Sequence, residues 1–182
     1  MLIYENKVPA SYRTTFIAKV IQVSKNLGIN PNWLMAIMHF ESAGTFSPSI
    51  TNSLGYTGLI QFGPGAATDL KTTLTALRNM TAVQQLDYVE RYYKMWYKRL
   101  KIVAPNSYID TYLITIFPAA VNKGLDFVIR ASNISAAAFE KANPAFDLNN
   151  NKEVTVAEIQ QVMLKRLPSE WIKDFLKKKA LA

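Results

Sequence analysis

One carboxylic acid stands where glutamates rarely stand. Leu34, Ile37, Met38 and Glu41 are three, four and seven residues apart, so on a helix they share one face. Glu41 continues an apolar stripe instead of opposing it. Partial burial disfavours the charged form of a carboxyl group and raises its pKa. An acid still protonated near neutral pH can give its proton to the leaving oxygen of a glycosidic bond. The helix then breaks into a segment punctuated by Gly44, Pro48, Gly55, Gly58, Gly63, Pro64 and Gly65, where a polysaccharide backbone could approach closely. The ordinary fate of a lone helix-end glutamate is hydration. The residues around Glu41 argue against that fate.

The stretch Trp33-Leu34-Met35-Ala36-Ile37-Met38-His39-Phe40-Glu41-Ser42-Ala43-Gly44, followed by Gly58-Leu59-Ile60-Gln61-Phe62, resembles the soluble lytic transglycosylase pattern of the lysozyme-like superfamily. In that pattern a helix ends in Glu-Ser and a Gly-Leu-x-Gln strand lies opposite. The likeness continues through Gln85–Val89 and Asp110–Leu113 to Phe117–Ala120. It spans Phe16 to Val121 and is similar to the peptidoglycan-degrading domains of phages and prophages. It implies a mainly helical α+β fold over residues 1–182, with a small β-like insert after the second helix and a cleft between Glu41 and a Gly58–Gln61 strand. It also implies that Glu41 acts first as general acid and then as general base. Ser42, Tyr56, Gly58, Gln61, Phe62 and Tyr112 are the substrate-binding candidates. The family's Ala-Tyr-Asn-Ala-Gly motif has no intact counterpart. Ile116–Ala119 and Ala120–Gly124 are its two placements and neither keeps the tyrosine, so Tyr112 and Tyr56 are alternative sources of that phenol.

A second carboxylate would decide the reaction type. From Ser42 to Thr68 there is no Asp or Glu, and Asp87 and Glu90 fall on a long helix where hydration is the default. A single acid suits the lytic transglycosylase route. There the substrate's N-acetyl group stabilises the developing cation, and the bond between N-acetylmuramic acid and N-acetylglucosamine is cut to a 1,6-anhydro product. This is a recognised departure from the two-carboxylate scheme. Two alternatives stay open: a hydrolytic muramidase using Asp69, and a catalytically silent glycan-binding or virion structural module.

Near the end, Asp147, Asn149, Asn151, Glu153 and Glu158 occupy positions one, three, five, seven and twelve of an EF-hand-like loop within residues 143–166. A hard cation wants oxygens converging from alternate positions, with Glu153 giving its backbone carbonyl and Glu158 both carboxylate oxygens. Position six is Lys152 where glycine is usual. The expectation is a structural calcium ion and no cofactor for catalysis. The plainer alternative is a helix-capping loop, since Thr155-x-x-Glu158 is a capping box.

The elements that must carry these residues are legible. Amphipathic or capped helices are expected over Ser11–Leu27, Pro31–Ser42, Thr81–Lys101, Ser107–Phe117, Ser135–Lys141, Thr155–Arg166 and Ser169–Lys179, with short strand-like pieces such as Tyr56–Phe62 between the second helix and Ala66. The chain of 182 residues has no cysteine, which excludes disulfides, thiolate metal sites and a cysteine nucleophile. The opening residues lack a signal-peptide pattern and no apolar run is long enough to cross a bilayer. The expectation is therefore synthesis in the cytoplasm without a signal peptide and action on the cell wall. A net charge of +8 suits an anionic polymer. With no nucleic-acid motif present, bacterial peptidoglycan is the expected partner and a monomer the expected state. His39 neighbours Glu41, but adjacent helical positions point about 100° apart, so it is expected to pack elsewhere.

Overall fold

In the computed structural model, which describes residues 1–177, the protein is mainly helical. It resolves into two compact units, Met1–Ala104 and Pro105–Ala182. The end of the helix expected over Ser169–Lys179 and part of the basic run Lys177-Lys178-Lys179 lie outside the described residues.

In the first unit, α1 (Arg13–Leu27) packs against both α2 (Pro31–Glu41) and α5 (Ala82–Leu100). Phe16, Val20, Val23 and Leu27 of α1 are buried, as are Leu86, Val89, Tyr93 and Tyr97 of α5. Gly28 ends α1 with φ +66°, the left-handed cap that glycine adopts without a Cβ penalty. Asn30 then caps α2 by accepting from the Asn32 N–H at 2.9 Å, and Pro31 fills a first-turn position whose N–H needs no partner. Six consecutive residues of α2, Trp33 to Met38, are buried, so this helix is the spine of the unit. The short helices α3 (Pro64–Asp69) and α4 (Leu74–Arg78) precede α5, whose start is fixed by the capping box of Thr81 and Gln84.

The insert between α2 and α3 differs from its expectation. Among the described residues no extended strand forms. Thr57 makes isolated antiparallel bridges to Thr51 and to Phe62, and Gly58–Gln61 is the four-residue turn between the latter pair. The expected Gly58–Gln61 strand is ruled out by the backbone: Gly58 at φ +84° and Gln61 at φ +52° both turn left-handed, so the chain reverses.

The second unit contains α6 (Tyr108–Ile116), α7 (Ala136–Ala142), α8 (Val156–Lys165) and α9 (Ser169–Phe175). Aromatic pairs fill its core: Tyr108 with Phe175 at 4.7 Å, Phe117 with Phe139 at 5.4 Å and Tyr112 with Phe146 at 6.4 Å between ring centroids. A bridge between Val128 and Thr155 ties the approach to α7 to the start of α8.

Candidate active site

Glu41 is the last residue of α2, and its helix face is the one the sequence marks. Leu34, Ile37 and Met38 are fully buried and Glu41 is half-buried at the end of their stripe. The helix stops there because the next residues turn left-handed: Ala43 has φ +49° and Gly44 φ +81°, and the Gly44 N–H closes on the His39 carbonyl at 2.7 Å. His39 packs away from this point, its ring stacked on Tyr4 at 3.7 Å. Burial, and then the Lys7 charge, hold its pKa below the ordinary imidazole value.

The expected substrate contacts divide sharply. Ser42 is fully buried, and its Oγ accepts the Phe46 N–H at 2.9 Å. Its hydroxyl folds the turn after Glu41 and is not presented to a ligand, which corrects the expectation that it lines a cleft. Phe62 and Tyr112 are each 1% exposed and Gly58 is buried, so these three are framework as well. Tyr56 and Gln61 remain accessible. Tyr56 lies flat against Gly63, where a Cβ would come within 2.6 Å of its ring, and 40% of the residue faces solvent. Gln61 is half-buried, and its Nε2 donates to the Gly58 carbonyl at 3.2 Å and toward the Ile50 carbonyl at 3.4 Å.

The Gly58–Gln61 turn is anchored by a residue with no assigned role in the motif. Gln85, fully buried on α5, accepts the Leu59 N–H at 2.7 Å and donates to the carbonyls of Pro48 at 3.0 Å and Leu77 at 2.9 Å. One carboxamide thus satisfies three backbone groups from three segments.

Tyr92, also on α5, is the aromatic that sequence reading passes over. Six large side chains crowd Tyr88–Tyr97, and nothing in their spacing separates this one from core packing. Its ring meets Phe62 edge-on at 6.0 Å and Trp96 at 6.5 Å. Burial pushes its phenol up to about 12. The Trp96 indole N–H opposes the rise, and the Glu41 charge adds to it.

Asp69 forms a two-pronged ion pair with Arg99, at 2.8 and 2.9 Å. Hydrogen bonding to that guanidinium is the main reason its carboxyl stays below the usual range. Arg99 in turn covers the Trp96 ring at 5.0 Å. Glu5 accepts from the Leu2 N–H, Asp87 pairs with Lys19, and Glu90 pairs with Lys94 and accepts from Asn26.

In the second unit, the loop from Asp147 to Glu158 is closed by its own side chains. Asp147 accepts the N–H groups of Asn151 and Lys152 at 3.2 and 2.9 Å, and Asn149 and Asn151 accept from Asn151 and Glu153. Lys152 has φ +65°, the conformation that glycine usually supplies at that position. Glu158 is 7% exposed. One of its oxygens accepts from the Leu148 N–H and Asn149 Nδ2, the other from the Thr155 N–H and hydroxyl, completing the expected capping box. Among the described residues no group of three or more His, Cys, Asp or Glu side chains is gathered to hold a metal ion, and no helix is long and apolar enough to cross a membrane.

Comparison with family models, with curated proteins and with solved structures finds no match.

Proposed function

We propose that this chain cleaves peptidoglycan glycan strands between N-acetylmuramic acid and N-acetylglucosamine, with Glu41 as the single acid of a lytic transglycosylase mechanism on a lysozyme-like fold. The observation that carries the reading is the place of Glu41: a half-buried carboxyl at the end of the apolar face of α2, where the chain passes into the glycine-rich segment. Glu41 donates its proton to the leaving oxygen, the substrate's N-acetyl group supports the cation, and Glu41 then takes the proton of the muramoyl 6-hydroxyl as the 1,6-anhydro bond forms. Tyr56, with one ring face against Gly63, offers a platform for a pyranose ring, and Gln61 offers an amide to sugar hydroxyls. The net charge of +8 favours the anionic cell wall as partner. The deciding experiment is mass analysis of muropeptides released from purified sacculi by the wild type and by Glu41→Gln.

The loop at residues 147–158 is proposed to take calcium as a structural ion. Its support is the left-handed Lys152 and the Asp147 turn, a backbone already shaped as such a loop requires. Asp147, Asn149, Asn151, the Glu153 carbonyl and Glu158 would hold the ion, once Glu158 exchanges its present hydrogen bonds for it.

A further inference from the structure

The second unit holds a cavity of about 430 Å³ between the start of α6, the chain that follows it, α8 and the end of α9. That volume lies within the roughly 300–1,000 Å³ of small-molecule sites. Backbone hydrogen bonds fix its wall: the Ala157 N–H donates to the Leu125 carbonyl at 2.9 Å and the Val156 N–H to the Phe127 carbonyl at 3.0 Å. Asp110 is the one charged residue of the lining. This half-buried carboxylate accepts from the Ser107 hydroxyl at 2.6 Å on one oxygen and from the Asn122 N–H at 3.0 Å on the other. A carboxylate has about four acceptor sites, so both oxygens keep capacity for a further donor. Among the described residues no ion pair reaches it. Gln160 of α8 also lines the cavity, half-buried, and its carboxamide makes no hydrogen bond among the described residues.

The lining selects among ligand chemistries. With a carboxylate and no Lys, Arg or His, it disfavours an anion. A pyranose binds best on an open aromatic face, but the two rings here, Tyr108 and Phe175, meet each other edge-on at 4.7 Å with 2% and 4% of each residue exposed. The open surface is aliphatic: Leu125 and Leu176 are 48% and 53% exposed at the cavity. We propose that this cavity binds an aliphatic primary ammonium group, such as a lysine side chain presented by a peptide, with Asp110 as its counter-charge. An ammonium carries three donors and no acceptor, which the Asp110 oxygens and the Gln160 Oε1 can receive. Its methylenes lie along the exposed leucines while the charged head pairs with the carboxylate. An alkyl ammonium, with an ordinary pKa of about 10.4, stays charged at neutral pH. This role is separate from Glu41 and from glycan cleavage, and gives the second unit a ligand of its own.

The test is a titration of the full chain with Nα-acetyl-lysine N-methylamide and with its norleucine counterpart, which keeps the aliphatic chain and lacks the amine. NMR signals of the leucine methyls and side-chain amides report binding. The lysine probe should shift the Gln160 amide and the Leu125, Leu164 and Leu176 methyls saturably in the millimolar range. The norleucine probe should bind at least about tenfold more weakly, the scale of one hydrogen bond to a charged group. Asp110→Asn should bring the lysine probe down to the norleucine level. That variant keeps the shape of the side chain, and the Ser107 hydroxyl can turn to accept from the amide, since a hydroxyl both donates and accepts. Equal binding of the two probes to the wild type overturns the proposal, and so do shifts that fail to saturate or that scatter over the surface carboxylates. These outcomes need no variant, even if Asp110→Asn fails to fold. Unweakened lysine binding in a folded Asp110→Asn overturns it equally. Saturable binding of free N-acetylglucosamine in place of the lysine probe would make the cavity a sugar site and overturn it too. None of these readouts depends on turnover of peptidoglycan, so the catalytic reading of Glu41 stands or falls separately.

Discussion

Gly58 rests directly on the carboxamide of Gln85: a Cβ at position 58 would lie 2.4 Å from Oε1 and 2.6 Å from Nε2. The contact explains why glycine opens the Gly-Leu-x-Gln turn. The backbone there is left-handed, and the space a side chain would need holds the amide that satisfies Leu59, Pro48 and Leu77. Gly58→Ala should therefore lower the unfolding free energy by about 2–5 kcal/mol, combining left-handed strain of about 1–2 kcal/mol with weakened buried hydrogen bonds of about 1–3 kcal/mol. Urea denaturation measures it. A near-native midpoint would mean that the Gln85 amide can move aside at little cost.

Glu41→Gln preserves shape but has no carboxyl proton to give. Turnover of peptidoglycan should fall by roughly 10²–10⁴-fold, the usual contribution of a general acid, with the melting temperature nearly unchanged. Near-normal turnover in a folded Glu41→Gln protein removes this residue from the chemistry.

The products separate the two enzymatic readings. Released muropeptides should be about 18 mass units lighter than hydrolysed ones, because no water is added across the bond in the substrate-assisted route. Asp69→Asn should leave the rate within about twofold and, as the loss of an exposed pair, cost less than about 1 kcal/mol of stability. Reducing-end muramic acid as the main product, together with a collapse in the Asp69→Asn rate, would instead identify a hydrolase.

Why some of this was legible and some not follows from the kind of signal each residue gives. Helix ends carry local chemistry, so Gly28, the Asn30-Pro31 pair and the boxes at Thr81 and Thr155 mark boundaries that the structure keeps within a residue or two. The stripe ending in Glu41 is also local, a matter of period alone. The Gly58–Gln61 turn reads as a strand because Leu59 and Ile60 are apolar, yet their burial comes from a turn pinned by Gln85, some 26 residues away in sequence. Ser42 and Phe62 look like cleft residues from their place in a motif, but whether a side chain faces solvent depends on what folds over it. Tyr92 is hidden for the same reason: its ring neighbours include Phe62, a contact no spacing reveals.

His39 should make the fold sensitive to acid. Its pKa is lowered in the folded protein, first by burial and then by Lys7, from an ordinary value of 6.5. The unfolded chain therefore binds the proton more readily, and stability rises with pH where the two states differ. The contribution is fully present above about pH 6.5 and declines as the pH falls below it. Since the chain has one histidine, His39→Gln should flatten the pH dependence of the denaturation midpoint between neutral and mildly acid buffer. An equally steep profile in that variant would assign the effect to carboxylates.

Calcium should raise the melting temperature if the loop of residues 147–158 takes the ion, because binding to the folded state alone stabilises it by mass action, about 2.7 kcal/mol at a hundredfold excess over Kd. The ion must first win Glu158 from the Leu148 and Thr155 N–H groups, the Thr155 hydroxyl and Asn149 Nδ2. Glu158→Ala consequently has two effects: it removes the capping box, lowering stability in calcium-free buffer by about 1 kcal/mol, and it abolishes the calcium response. Lys152→Gly relieves a left-handed non-glycine residue at φ +65° and deletes a cation beside the site, so the response should grow. Magnesium should substitute poorly, since it resists bidentate, high-coordination sites. Melting curves of wild type and Lys152→Gly that both stay fixed in millimolar calcium would reduce the loop to a helix cap.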